Sequence, residues 1–425
     1  MGWNGRQIIE YYDIITLVKI LGIESSCDET AASVVEDGRR VLSHVVVTQI
    51  DIHAHYGGVV PEVAARSHIE AINPVISEAL AQAGCTWDDI DAIAVTYAPG
   101  LIGSLLVGTL AARTLAILHD KPLYPIHHVE AHVYANFVVE QGPLSPLPSS
   151  PIPSELPRRS LDAGPVNESA PSSEKSKILS EAGAAPLVAT RFSLPSKQPE
   201  FPMLALIVSG GHSQLVLFHD HGDYELLGQT QDDAVGEAYD KVAKILGLPY
   251  PGGPSIAKAA AAGDASAYTF PKARLQNPFD FSFSGLKTAV LRAVQREVGK
   301  DFTFPSHELP GLLNDVQRNN FAASFQRVAN ETLVDKAVAA YERYQPKSVV
   351  IAGGVAADRD LRARLAARLP IAIEYAPMQL CTDNATMIAT LGYYRAQKLA
   401  PADPYTLEVV PSLSMTKTAW AQEAA

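Results

Sequence analysis

Several short apolar runs, each ending at a polar or glycine-bearing turn, set the rhythm of the chain. Ile20 to Ile23 meets Glu24-Ser25-Ser26-Cys27-Asp28-Glu29-Thr30, and a second apolar run, Ala31 to Val35, follows. Strand, polar turn, strand is the economical reading. The pattern returns at Leu204 to Val208, the turn Ser209-Gly210-Gly211-His212-Ser213, and Gln214 to Phe218. A relative of it runs from Ser348 to Ile351 through Ala352-Gly353-Gly354-Val355 into a helical stretch from Asp360 to Ala367. A further strand-to-helix turn joins Ile93–Val95, through Tyr97-Ala98-Pro99-Gly100-Leu101, to a small-residue helix beginning near Gly103. Phe321, Phe325 and Val328 fall on one helical face and read as a core stripe.

These segments are not strict repeats, but they predict two similar α/β halves, each with a hairpin whose turn faces a shared cleft. Glycine at such turns lets backbone N–H groups approach a phosphate closely; it also simply makes a tight turn. Residues 141–200 are of another kind, with 11 prolines and 12 serines and no sustained periodicity, and are expected to be a disordered insert without catalytic residues. The tail after Lys398 reads similarly. The expected division is an N-terminal extension (1–19), a first lobe (20–140), the insert (141–200), a second lobe (201–398) whose last helix returns to the first, and a tail (399–425).

Composition narrows the class. The chain has 425 residues, enough for two sizeable cores, and its 47% hydrophobic and 19% charged residues are those of a globular protein. No apolar run of about 18 residues stands out, so no membrane span is expected. The start lacks the pattern of a secretory signal or transit peptide. Three widely spaced cysteines (Cys27, Cys85, Cys381) make no disulfide framework, which fits a reducing cytoplasm. A net charge of −12 argues against gripping nucleic acid over the whole surface, so an RNA substrate would need a local basic patch or a partner.

The sharpest chemical signal is Ile126-His127-His128-Val129-Glu130-Ala131-His132. On a helix His128 and His132 share a face, with Cβ atoms about 6 Å apart, and can chelate one transition metal. His127 points elsewhere. A metallopeptidase would have glutamate directly after the first histidine, but here that residue is Val129, and Glu130 lies roughly 200° around the helix axis. Asp383, in Cys381-Thr382-Asp383-Asn384-Ala385, is the best candidate for a third ligand, although a carboxylate just before a helix is also the usual N-cap. Mixed histidine and carboxylate ligation with open positions suits iron or zinc.

Together with His128 through His132, several stretches resemble the TsaD family, also called Gcp or YgjD. They include Gly22 through Thr30, His55 through Glu62, Pro99-Gly100-Leu101 and Val208 through His212. Further on come Asp233 through Lys241, Tyr250 through Pro254, Phe283 through Lys287, Gly353-Gly354-Val355 and Cys381 through Ala385. They keep family order across about residues 20–395, broken only by the insert. The resemblance implies the two-lobed actin, Hsp70 and sugar-kinase-like (ASKHA) α/β fold. It also implies transfer of threonylcarbamoyl from threonylcarbamoyl-AMP to the exocyclic amine of the adenosine 3′ of the anticodon, in tRNAs reading codons that begin with A. By the same carry-over His128, His132 and Asp383 are the ligands of one divalent metal per subunit, Fe(2+) or else Zn(2+). The substrate's nucleotide would be held by Ile207, Val208, Ser209, Gly210, Gly211, Asp240 and Gly253. TsaB-like and TsaE-like proteins are the implied partners.

One departure stands out: where the family usually has Asn after Gly-Gly-Val-Ala-Ala, this chain has Asp358, so an amide gives way to an acceptor-only carboxylate. Asp358 is carried over as a substrate-binding residue with that change. Asp28 and Glu29, in the first hairpin turn, are the catalytic candidates, Asp28 favoured because its shorter side chain is better fixed. Glu62, Arg66 and His68 read either as a border of the RNA path or as a solvent-facing helix end, and Lys287 as a phosphate contact or a surface lysine. The competing functions are a small-molecule kinase or ATPase of the same fold, and a non-catalytic assembly subunit.

Overall fold

The computed structural model describes residues 17–139, 194–373 and 375–417. Most of the 1–19 extension, the insert up to residue 193 and the last residues of the tail lie outside them.

The first apolar runs form a sheet of β1 (Lys19–Glu24), β2 (Glu29–Glu36), β3 (Arg40–Val41), β4 (Val45–Thr48), β5 (Ala92–Ala98) and β6 (Leu123–His127). Its order is β3-β2-β1-β5-β6, with β4 also on β2. β1 and β2 are the expected antiparallel hairpin, Leu21 opposite Val34 and Ile23 opposite Ala32. β5 runs parallel to β1, and β6 parallel to β5. These inner strands are covered on both faces, which is why they read as continuous apolar runs rather than alternating ones. One face packs on α2 (Pro61–Ala83) and α3 (Ile102–His119), reached through the short α1 (Ile50–Ala54).

The second sheet holds β7 (Met203–Val208), β8 (Ser213–Asp220), β9 (Asp223–Gln229) and β10 (Ser348–Ala352) in the order β10-β7-β8-β9. Between the sheets in sequence stands α4 (His128–Tyr134). Around the second sheet are α5 (Val235–Leu246), α6 (Gly252–Ala260), α7 (Ser284–Glu297), the long α8 (Asp315–Tyr344) and α9 (Arg359–Arg368). Phe321, Phe325 and Val328 line α8 and are buried, as their spacing requires.

α10 (Ala385–Ala396) returns to the first sheet and packs on β1, β2, β5 and β6. The approach is very close: a Cβ added at Gly22 of β1 would lie 2.3 Å from the Ala385 carbonyl oxygen and 2.9 Å from Ala389 Cβ. Small residues on both elements let a helix rest on a strand at backbone distance. A continuous core then runs from this face of the first sheet through α4 and α10 into the second sheet.

Three readings need correction. Residues 194–200 belong to the packed structure: Leu194 lies against the core, and Gln198 donates to the Phe137 carbonyl and to the Tyr394 hydroxyl. The tail is bonded at successive points up to Met415. Ala402 bridges to Leu123, Arg113 donates to the carbonyls of Pro404, Tyr405 and Leu407, Val410 N–H donates to Tyr97, and Met415 is buried. Its polar composition hid this because backbone bonding carries no composition signal. Finally, α3 has the length and mean hydropathy (1.5 over 18 residues) to cross a membrane, contrary to the expectation that no such run exists. It nevertheless buries Leu105, Gly108, Ala112 and Ala116 against the protein and engages the tail through Arg113, while Ile102, Leu106, Leu110 and Leu118 stay exposed.

His44 ties the β3–β4 segment to α10 through Thr386 Oγ1, 2.9 Å from its Nδ1, and burial lowers its pKa to about 4. The unfolded chain binds this proton near the ordinary value of about 6.5, so the stability is full above that pH and is lost as pH falls toward 4. On the order of 3 kcal/mol is at stake for such a shift. Thermal unfolding followed from pH 7 to 4 is expected to show a falling midpoint, and the His44→Gln variant a shallower fall than the parent.

Candidate metal centre and substrate cleft

β6 ends at His127 and α4 begins at His128. His127 Nδ1 accepts from the Glu130 N–H at 3.4 Å and so caps the helix, while its Nε2 donates to the Leu413 carbonyl at 3.1 Å. Both nitrogens being engaged, His127 is turned from the cleft, as its position relative to His132 predicts. His128 and His132 share one face of α4, ring centroids 4.7 Å apart and nearly perpendicular.

The two readings of Asp383 separate cleanly, because the N-cap of α10 is its neighbour. Asn384 accepts from the Met387 N–H at 3.1 Å. Asp383 is thereby free to turn inward, and its Oδ1 lies 3.4 Å from His128 Nε2 and 3.2 Å from His132 Nε2. The three prospective ligand atoms all lie within 4.8 Å of one another. His132 is buried, yet neither of its ring nitrogens makes a hydrogen bond among the described residues. An orphaned imidazole nitrogen aimed at a second imidazole and a carboxylate fits a metal ligand, since buried polar atoms rarely go unpaired otherwise. Cys381 Sγ instead lies 3.1 Å from Arg362 Nη2, close to the Ala376 and Pro377 carbonyls.

The electrostatics favour a cation at this point. Burial alone would raise the Asp383 pKa, but His128 and His132 hold it well below the carboxylate range. Burial alone would lower that of His128, and Asp383 and Glu24 together raise it. Glu24 was given no role by sequence reasoning. It ends β1 fully buried, its Oε2 3.2 Å from His128 Nδ1. The available signal was a carboxylate closing a wholly apolar strand, where burial demands a partner.

Asp28 and Glu29 sit where the first hairpin turns. The turn is held from several sides: Gln49 N–H donates to the Asp28 carbonyl, His68 Nε2 and Ser104 Oγ to the Cys27 carbonyl, and Leu101 N–H to the Ser26 carbonyl. His68 is thus a buried support of the turn rather than a surface residue, whereas Glu62 and Arg66 are exposed. Glu29 is pushed well above the usual carboxylate range by burial, then by Asp28 and Asp383. Asp28 also raises Asp240 and the Tyr250 phenol, in each case after burial, which puts it across the cleft from the second half.

On that side the glycine turns meet. Ser209 N–H donates to the His212 carbonyl, Gly236 N–H to Ser209 and Glu237 N–H to Gly210, joining the β7–β8 turn to the start of α5. Gly353, at φ +91°, presses on the same strand end, where a Cβ would lie 2.4 Å from the Val208 carbonyl oxygen; only glycine fits. Ile207 and Val208 bury their side chains completely, leaving only backbone for a ligand. Asp240 Oδ1 accepts from Gly252 N–H at 2.7 Å and fixes the next turn. Nothing lies within 4 Å of where a Cβ would stand on Gly210, Gly211, Gly253 or Gly354, so these turns border open space. His212 follows the first of them and feels both metal-side imidazoles, which, after burial, hold its pKa down at about 4.

Asp358 is already engaged. Its Oδ1 caps α9, accepting from Asp360 N–H at 2.8 Å. Its Oδ2 accepts from Asn330, Gln326 and the Tyr239 hydroxyl at 2.9, 3.0 and 3.3 Å. Lys287 and Lys241 both pair with Asp233, at 2.7 and 2.9 Å.

Comparison with known proteins decides what this arrangement belongs to. The family described as TsaD, tRNA N6-adenosine threonylcarbamoyltransferase, matches residues 40–151 and 184–390. The chain belongs to the TsaD family. A Symbiobacterium thermophilum protein of that description is 47% identical over 378 residues, 88% of this chain and 91% of its own. One from Dehalococcoides mccartyi is 42% identical over 399 residues, 94% of this chain and the whole of its own. Among solved structures, HypF of T. kodakarensis aligns with a TM-score of 0.50 at 12% identity, over 90% of this chain and 47% of that one. It shares the fold alone, the actin-like α/β class that the TsaD resemblance implied.

Removing one arm of the triad tests the centre. Equilibrium dialysis against zinc is expected to load about one ion per chain in the parent protein, and His132→Ala is expected to weaken binding by at least about 100-fold, since two scattered ligands no longer chelate.

Proposed function

We propose that this cleft transfers the threonylcarbamoyl group from threonylcarbamoyl-AMP to the exocyclic amine of the adenosine 3′ of the anticodon, in tRNAs that read codons beginning with A. The observation that carries the reading is the convergence of His128, His132 and Asp383 beside open glycine turns, in a chain of this family. A two-imidazole, one-carboxylate set suits Fe(2+), or else Zn(2+), with positions open to substrate. When bound, the metal supplies Lewis-acid polarisation and a template for the threonylcarbamoyl end. The same set speaks against a small-molecule kinase, whose magnesium prefers oxygen ligands.

The chain's own residues do the remainder. Backbone N–H groups of Gly210 and Gly211, with Asp240 and Gly253, hold the adenylate, so the activated carbonyl meets the amine at fixed distance; Asp358, both of whose oxygens are already bonded, instead fixes the start of α9. As the new C–N bond forms, the C–O bond to phosphate breaks and AMP leaves with its electron pair. The amine's proton must go to a group able to take it. We assign acceptance to Asp28, whose shorter side chain sits in a turn braced by Gln49, His68 and Leu101. The two halves, 20–140 and 201–398 with α10 returned to the first, act as lobes around the site. TsaB-like and TsaE-like proteins are the inferred partners, and the exposed row Ile102, Leu106 and Leu110 on α3 is the apolar surface we assign to such contact. We place the protein in the cytoplasm with its tRNA substrate.

Supplying threonylcarbamoyl-AMP and unmodified tRNA, then reading the nucleoside by mass spectrometry, is expected to give the threonylcarbamoylated adenosine. Asp28→Asn is expected to slow it by about 10²–10⁴-fold while metal loading stays at the parent level. Absence of product, with and without partner extract, rejects the assignment.

A further inference from the structure

Among the described residues, Glu24 is the carboxylate that meets His128 from the side away from Asp383. Resting on the reading of His128, His132 and Asp383 as a metal centre, we propose that Glu24 is a positioning residue that fixes the tautomer and ring orientation of His128. The geometry assigns this as follows. Glu24 has no exposed surface, and each of its oxygens accepts: Oε1 from the Ser26 N–H at 2.6 Å, Oε2 from the Thr96 hydroxyl at 2.5 Å. His128 Nδ1 lies 3.2 Å from the same Oε2 and 3.1 Å from Ser26 Oγ. A carboxylate accepting on both oxygens makes Nδ1 the donor, so the lone pair of His128 sits on Nε2. That is the nitrogen which faces Asp383 Oδ1.

The carboxylate is itself anchored. Thr96 lies in β5 and Ser26 in the β1–β2 turn, both fully enclosed, so Glu24 is held by two neighbouring segments of the first sheet before it meets α4. Glutamine cannot replace it. Two donors, Ser26 N–H and Thr96 O–H, and the Nδ1–H require acceptors on both sides, and an amide offers one oxygen. Whichever way it flips, one donor faces another. His132 has no such support, since neither of its ring nitrogens makes a hydrogen bond among the described residues. The orientation of the pair therefore depends on His128, and His128 on Glu24.

The test uses cobalt(II) alone, titrated into the full chain and followed by its visible absorption bands, with affinity from chelator competition. Glu24→Gln is expected to bind about 10–100-fold more weakly, with altered bands, when both chains are titrated below the lowered metal-free midpoint that the buried donor clash brings. Thr96→Val, which keeps the carboxylate but removes one tether, is expected to lose affinity several-fold in the same direction. Equal affinity and identical bands in Glu24→Gln overturn the inference. If that variant does not fold, unchanged affinity in Thr96→Val overturns it. Failure of the parent chain to bind cobalt rejects the metal reading instead, and so is told apart.

Discussion

Asp383 reaches the two imidazoles only because α10 lies directly on β1. The contact at Gly22 brings the start of α10 to backbone distance from the strand that ends in Glu24, and the same packing sets Asn384 to cap the helix. With the cap supplied by one residue, the residue before it is released toward α4. Any larger side chain at Gly22 would lift α10 and take Asp383 with it. The candidate metal centre thus depends on a steric fit between small residues of β1 and α10.

Around that fit the charges are arranged in alternation. Glu24, His128 and Asp383 form a row in which each acid faces an imidazole, and the cluster is buried, so little water screens it. Glu29, a short distance on, is pushed the other way, well above the usual carboxylate range, by burial and by Asp28 and Asp383. Two carboxyl groups of one turn region are thereby shifted in opposite directions by their surroundings: Glu24 down beside His128, Glu29 up by burial beside other acids.

The second half contributes backbone where the first contributes side chains. Its glycine turns press together at Val208 and Gly353 while leaving their outer sides open, a surface suited to a phosphate or a nucleotide. The tail links the halves physically, from Arg113 past His127 to the Tyr224 hydroxyl, which donates to the Met415 carbonyl. The helix bearing the metal-side histidines is therefore held at its first turn by the end of the described chain.

Much of this was legible in the residues. The alternation of apolar runs and turns determines the two hairpins, because burial on both faces leaves no other use for such strands. The spacing of His128 and His132 determines a shared helical face, since that follows from helix geometry alone. Only the tertiary structure gave the cap to Asn384 and set Asp383 beside both imidazoles, because the choice depends on which residue of the turn meets α4. It also decided the parts of Glu24, His68 and the tail, whose partners come from distant segments or from backbone, and Asp358, which caps α9 with one oxygen while side chains of α5 and α8 take the other. Local pattern specifies what a segment can form, but which polar groups meet is set by packing between segments, and one sequence read along its length does not contain that distance.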